Sequence, residues 1–310
     1  MRTCLKLLTG VLALGAVVAL SGCYTRTIVV YDHHDTPQRD PEPEPTRDPD
    51  PEPEVVEIEV SYYHDSLHPF GTWIYIEGYG DCWYPNDVDD DWRPYSHGHW
   101  VWVDDCGWYW VSDYEWGWAC EHYGRWTYYS GHWCWVPGYE WSGGWVVWYE
   151  GGGYIGWAAL PPTIIWDDRD GCHDRGVRWE IEIRDSCWVW VSHGKFYSRH
   201  IHQVCEHPRQ NRTRFGNASY RGCLGAERGR PMNRAIGYDD AERYTGQKGP
   251  RRKVKDQKDD KGRPDNRDDG ESVIVFRPKV KKNKPDNDKE EREKKEREEK
   301  EKLEKEKADR

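Results

Sequence analysis

The side chains able to do chemistry are few and scattered. His97-Gly-His99 and His200-Ile-His202 each set two imidazoles two residues apart, a spacing that places both on one face of a strand and could offer two nitrogens to a metal. None of the ten cysteines forms a CxxC pair, and no other zinc-ligand spacing occurs. The first histidine pair therefore reads as solvated turn residues and the second as histidines on a helix surface. Asn86-Asp87-Val88-Asp89-Asp90-Asp91 has the oxygen donors of a calcium loop but lacks its glycine and terminal glutamate, and it reads as a solvated acidic turn. Paired carboxylates hydrolyse glycosidic bonds when their separation in space is right; Asp89, Asp90, Asp104 and Asp105 are the candidates here. No Gly-X-Ser-X-Gly elbow, His-Glu-X-X-His helix, P-loop or dinucleotide fingerprint is present. No metal and no cofactor is expected, and enzyme activity is the second choice behind binding.

Any such residues must be positioned by a tryptophan-rich repeat. Sixteen tryptophans lie between Trp73 and Trp157. Gly71-Thr-Trp73 leads to Cys82-Trp83, Gly98-His-Trp100-Val-Trp102 to Trp108-Tyr-Trp110, and Gly124-Arg-Trp126 to Cys134-Trp135. The units start 27 and then 26 residues apart, and a decayed fourth begins at Gly144-Trp145. Each reads as two short aromatic strands joined by a polar turn, so the fold class is mainly β: repeated antiparallel hairpins in a meander, sandwich-like or barrel-like. Between Phe70 and Leu160 the chain has three Ile, one Leu, seven Val and no Met, so tryptophan must fill the core. Sixteen indoles also exceed what the inside of one small sheet can take, and the surplus is expected on the surface as a binding face. Trp100, Trp102, Trp133 and Trp135 sit in strand-like contexts and are assigned to the core. Trp116, Trp141 and Trp145 have Gly, Ser and Glu neighbours, as loops require, and are assigned to binding. Indole faces stack on sugar rings, which makes glycan the natural ligand.

Residues 61–162 form this first domain. A second small β-rich domain is expected over 163–247. It opens with the alternating strand Val177-Arg-Trp179-Glu-Ile181-Glu-Ile183, turns at Asp185-Ser186 into Cys187-Trp-Val-Trp-Val191 as a fifth hairpin, and continues with a short helix over Phe196 to Cys205. Residues 248–310 read as a charged, disordered and partly helical tail. Glu/Lys pairs at i,i+4 spacing run from Glu290 to Lys305. Val273-Ile-Val-Phe276 is the only strand-like tetrad in that tail and is a candidate addition to a sheet edge. Residues 23–247 hold 19 Lys and Arg against 37 Asp and Glu, a net of −18, which argues against nucleic acid as a partner.

The first 22 residues read as a lipoprotein signal peptide. Arg2 and Lys6 precede an apolar run, Leu7 to Leu20, too short to span a bilayer, and Leu20-Ser-Gly-Cys23 resembles a bacterial lipobox. The resemblance implies lipidation of Cys23, and Tyr24 after it resembles lipoproteins sorted to the outer membrane. Residues 23–60 are then a lipid-anchored linker. Its Pro/Glu-rich stretch from Asp35 to Glu54 is an extended spacer reaching about 60 Å at roughly 3.1 Å per residue. In an oxidising compartment the eight other mature cysteines read as disulfides within each half: Cys82, Cys106, Cys120 and Cys134, then Cys172, Cys187, Cys205 and Cys223. Four cysteines allow three pairings, and the sequence does not choose among them.

The run His64-Asp-Ser-Leu-His-Pro-Phe-Gly-Thr-Trp73, with Gly107-Trp-Tyr-Trp-Val-Ser112, Trp116-Gly-Trp-Ala119, His122-Tyr-Gly-Arg-Trp126 and Gly156-Trp-Ala-Ala-Leu-Pro-Pro162, resembles a tryptophan-rich family of exported bacterial proteins. This is the YXWGXW-repeat family, domain of unknown function 6600. The short motif is not met letter for letter, since Tyr114-Glu-Trp-Gly-Trp118 is followed by Ala119. The resemblance implies no catalytic residue. The expected protein is a non-enzymatic envelope lipoprotein that binds peptidoglycan, another glycan or an envelope protein, with the membrane as partner through Cys23. The alternative is an envelope polysaccharide hydrolase.

Overall fold

The computed structural model describes residues 56–173, 183–258 and 264–281, all within the unit Glu52–Arg310. The signal segment, Cys23, most of the linker, residues 174–182 of the expected fifth hairpin, and the charged run after residue 281 lie outside the described residues. Among the described residues no helix is long and apolar enough to cross a membrane.

The fold is mainly β, and the repeat is a set of four antiparallel hairpins. The first joins Gly71–Ile76 to Gly80–Pro85, the second Gly98–Val103 to Gly107–Ser112, the third Arg125–Tyr129 to His132–Val136, and the fourth Val146–Gly151 to Tyr154–Ala159. Each carries a tryptophan pair directly across the ladder: Trp73 with Trp83, Trp100 with Trp110, Trp126 with Trp135, and Trp148 with Trp157. The glycine two residues before the first tryptophan has a shared physical reason. A Cβ at Gly71, Gly98 or Gly124 would lie 2.1–2.2 Å from the partner strand's carbonyl and within 3 Å of the ring of Trp83, Trp110 or Trp135. Indole and backbone cross there at contact distance, and only hydrogen fits.

The hairpins do not form a meander. The first pairs with the third through Trp83 and Trp135, giving a four-stranded sheet that skips the second hairpin. The second hairpin instead takes Arg251–Asp256 alongside Gly98–Val103 in parallel, and that strand carries Ser272–Val275 and Asn266–Asp268 beyond it. The fourth hairpin is flanked by Val189–Ser192 on one edge and Ser219–Gly222 on the other. Among the described residues no barrel closes.

These pairings redraw the expected boundaries. The sheet of the fourth hairpin mixes strands from both sides of residue 162, so the second region is not separate from the first. The expected tail is also wrong up to Lys281. Arg251–Asp256 and Ser272–Val275 are sheet strands, Phe276 is buried in the main core, and Lys279–Lys281 pairs in parallel with Glu57–Glu59 of the expected linker. Charge alternation hid this: Arg251-Arg-Lys-Val-Lys-Asp256 reads as a solvated run, yet backbone pairing is indifferent to side chains that point to water. Phe196 to Cys205 holds a single 3-10 turn, Ile201–Gln203, rather than an α-helix.

One apolar cluster draws on all four hairpins, the helix Ser61–Leu67 and the last strands. Thirteen of the sixteen repeat tryptophans are buried, Trp73, Trp133 and Trp141 are partly buried, and none is exposed. The expected surplus fails because indoles fill the space between several sheets. Buried indole N–H groups need acceptors, and the turn after the short helix Gly117–Cys120 supplies many. Trp126 donates to the Cys120 carbonyl (2.9 Å), Trp145 to that of His122 (3.0 Å) and Trp135 to that of Tyr123 (2.7 Å). The Tyr95 hydroxyl completes the set by donating to the Glu121 carbonyl at 3.0 Å.

Cysteine usage departs from expectation. Cys172–Cys223 is a disulfide within the second group, closing a separation of 51 residues, while Cys82, Cys106, Cys120, Cys134, Cys187 and Cys205 are thiols. Cys82 and Cys134 share a small apolar cluster with Ile76, but Cys106 and Cys120 belong to two other clusters. They serve as small hydrophobes, and burial pushes Cys82 and Cys134 up to about 11 and Cys106 up to about 12.

Candidate binding cleft

A cleft of about 750 Å³ opens beside the sheet of the first and third hairpins. That volume falls in the roughly 300–1,000 Å³ range of small-molecule sites. The sheet contributes Tyr84, Tyr128, His132 and Trp133, the loop Asn86–Asp91 forms a second wall, and Arg184, Ser186, Cys187 and Pro208 form the third. Tyr84 stacks on His132 with ring centres 4.5 Å apart, and Tyr128 meets the edge of Trp133 at 5.5 Å. The Arg184 guanidinium lies 5.8 Å from the Tyr128 ring. Tyr128 is 47% exposed. Beneath the aspartates, Arg93 is buried and donates to the Asp91 carbonyl at 3.3 Å and to Cys205 Sγ at 3.5 Å; burial lowers its pKa. Carboxylates, a guanidinium and ring faces at one opening can grip a polyhydroxylated ligand with a flat apolar side.

The three tryptophans assigned to binding are elsewhere. Trp116 is 4% exposed and stacks on Tyr114 at 4.6 Å, and Trp145 is 1% exposed with the Arg125 guanidinium 3.6 Å above its ring. Trp141 is half-buried between His122 (5.7 Å) and the Arg277 guanidinium (5.1 Å). Their small neighbours mark close packing rather than exposure. A Cβ at Gly117 would meet the Ser112 side chain at 2.3 Å, one at Gly143 the Trp108 carbonyl at 2.6 Å, and one at Gly144 the Trp100 ring at 2.9 Å. Trp133, expected in the core, lines the cleft together with the more deeply buried Trp92, whereas Trp100, Trp102 and Trp135 are buried as expected.

The carboxylate candidates divide. Asp104 is held by Arg251 at 2.6 Å and accepts from the Trp102 indole at 3.0 Å, and these bonds, Arg251 foremost, lower its pKa. Asp105 is pushed up by burial, but Arg277 and Arg230 outweigh this and hold it below its ordinary value. A carboxylate tied to arginines is poorly suited to donate a proton. Asp89 and Asp90 line the cleft instead.

Of the expected histidine pairs, His99 is not a turn residue. It is buried, and its Nε2 lies 3.2 Å from Asp268, which also accepts from Arg252 at 2.6 Å and Arg199 at 3.3 Å. Sequence reasoning also missed Glu121 and His122. Both are 1% exposed. Glu121 accepts from the Tyr95 amide at 3.1 Å and the Trp110 indole at 2.9 Å, yet burial pushes it up to about 7. His122 pairs Nδ1 with the Ser142 carbonyl at 2.8 Å, and burial lowers it to about 4. Cys120-Glu-His-Tyr123 carries no apolar period that would have placed it inside.

No characterised protein and no solved structure matches the chain. Residues 64–164, from within the first helix to just past the fourth hairpin, match the model of a family of unknown function, DUF6600.

Proposed function

We propose that this protein is a non-enzymatic module of the bacterial cell envelope. Its cleft between Tyr84, Tyr128, His132 and Trp133 binds glycan, peptidoglycan strands foremost. Lipidated Cys23 anchors it in the outer membrane, and the Pro/Glu linker sets its distance from the surface. The observation that carries the reading is the cleft itself: partly exposed rings stand beside Asp89, Asp90 and Arg184, the pairing of apolar faces with hydrogen-bonding groups that a sugar ring requires. The three tryptophans first assigned to binding have no part in it.

Sedimentation of the full chain with purified peptidoglycan tests this. Retention by the parent chain, lost in Tyr128→Ala and Trp133→Ala, is the expected result. Asp89 and Asp90 line the same cleft and keep one alternative in view, hydrolysis of the glycan. Soluble fragments that appear with the parent chain and vanish in Asp90→Asn would replace the binding reading with the enzymatic one. No retention and no fragments would overturn both.

A further inference from the structure

A second group of side chains gathers at the open end of the second hairpin. The Asp113 amide donates to the His97 carbonyl at 3.0 Å, so these two residues face each other just beyond the last strand pair, Gly98 with Ser112. The 3-10 turn Ile201–Gln203 brings His200 and His202 to the same place from nearly ninety residues away in sequence. Asp113 Oδ2 lies 3.8 Å from His200 Nδ1 and 3.9 Å from His202 Nδ1. One donor atom from each of the three residues falls within 4.8 Å of the other two.

We propose that Asp113, His200 and His202 bind a divalent transition-metal ion, zinc by preference. The separations are too long for hydrogen bonds, whose heavy atoms sit about 2.7–3.2 Å apart. They are close to what an ion imposes: metal bonds of about 2.0–2.1 Å in a tetrahedron put ligand atoms about 3.3 Å from one another. Small rotations of the exposed Asp113 and His200 side chains cover the difference. His202 Nδ1 is buried and makes no hydrogen bond, so the structure holds an unmet nitrogen aimed into the cluster. Two imidazoles with one carboxylate suit zinc better than calcium or magnesium, which take oxygen ligands. Three protein ligands leave a fourth position for water or a ligand group.

His97 has a different part. Its ring is parallel to that of His202 within 1°, with centres 4.5 Å apart. A metal lies in the plane of each imidazole that binds it, and two stacked rings share no plane. His97 is therefore a positioning residue that fixes the His202 ring, itself held by Ser96 Oγ at 3.0 Å from Nδ1 and standing 3.9 Å from Asp89 at Nε2. Because Asp89 also lines the large cleft, the metal site adjoins it.

The test is Co²⁺ titration of the metal-stripped full chain, followed by visible absorption and reversed with Zn²⁺. The expected result is one equivalent of Co²⁺ giving visible bands of a low-coordinate site, with no near-ultraviolet thiolate band. Asp113→Ala and His200→Ala, both at exposed positions, should each weaken binding about tenfold or more with an unchanged far-ultraviolet spectrum. His97→Ala should weaken it less and keep the stoichiometry at one. A thiolate band, binding that stays the same in the Asp113→Ala/His200→Ala double variant, or no saturation at millimolar Co²⁺ would each overturn the proposal. Peptidoglycan retention by the double variant separates this outcome from the fate of the glycan reading.

Discussion

The first and second hairpins are built from the same sequence unit yet end in opposite environments. Every residue of Gly98–Val103 is buried, and so is Gly107–Val111. In the first hairpin Trp73 is only partly buried and Tyr75 is 73% exposed, and its sheet partner, the third hairpin, exposes Tyr128 and Tyr129. The unit does not decide exposure; what the rest of the chain lays over it does. Arg251–Asp256 adds to the edge of the second hairpin, and Trp148 and Trp157 of the fourth pack on the Trp100 ring at 4.9 and 5.8 Å. Among the described residues the sheet of the first and third hairpins receives no such added strand, and the large cleft opens beside it.

The largest expected effect is in the covered region. Trp100 is fully buried against Tyr95, Trp110, Trp148 and Trp157, and Trp100→Ala should cost about 3–5 kcal/mol in denaturant unfolding. Trp116→Ala and Trp145→Ala should cost a similar amount, because they share that burial despite their loop-like neighbours. A loss under about 1 kcal/mol at Trp145 would return it to the surface role that its sequence context suggested.

How far the sequence could be read follows from the same contrast. The hairpins, their period and the glycine before each tryptophan pair were legible because turn residues and alternation are local. The Trp100–Trp110 pairing across the ladder follows from that register. The pairing of the first hairpin with the third was not legible, nor was the strand role of Arg251–Asp256, since both depend on contacts far apart in sequence. Trp116 and Trp145 are buried despite their glycine neighbours, because glycine there marks close packing and not a solvated loop: Gly117 admits the Ser112 side chain and Gly144 the Trp100 ring. The acidic run Asn86–Asp91 is exposed at its aspartates, as its composition suggests, but nothing local indicates that Tyr84, Tyr128 and Trp133 assemble beside it.

The next effect is a pH response hidden by cancellation. Glu121 titrates near 7 in the fold against an ordinary value of 4.5, so its extra stability is full below about 4.5 and is lost as pH rises toward 7. His122 titrates near 4 against 6.5, so its contribution is full above about 6.5 and is lost as pH falls toward 4. Each shift amounts to about 3 kcal/mol at 1.36 kcal/mol per unit, and the two slopes oppose each other over nearly the same window. Between pH 4.5 and 6.5 the two contributions of this pair nearly cancel, while the burial-lowered His97 and His99 add a slope in the same direction as His122. Relative to the parent chain, Glu121→Gln should make stability rise more steeply with pH across that window, and His122→Asn should make it rise less or fall. Urea unfolding at four pH values decides it. Parallel pH profiles for parent and both variants would mean that neither group is held as far from its ordinary pKa as its burial implies.

The smallest effect on stability, and the one that most sharpens the contrast, belongs to the open sheet. Tyr128 is nearly half exposed and meets Trp133 edge-on, so Tyr128→Ala removes little buried area and one aromatic contact. Such a contact contributes about 0.5–1.5 kcal/mol, and solvent exposure places this one at the lower end. The melting temperature should therefore drop by only a few degrees, while retention on peptidoglycan is lost. In Trp100→Ala the order is reversed: a large loss of stability, with retention by whatever fraction stays folded. The discriminating quantity is thus the ratio of binding loss to stability loss, large at Tyr128 and small at Trp100. If Tyr128→Ala destabilised the fold as much as Trp100→Ala, the sheet of the first and third hairpins would be a second core rather than the wall of a binding site.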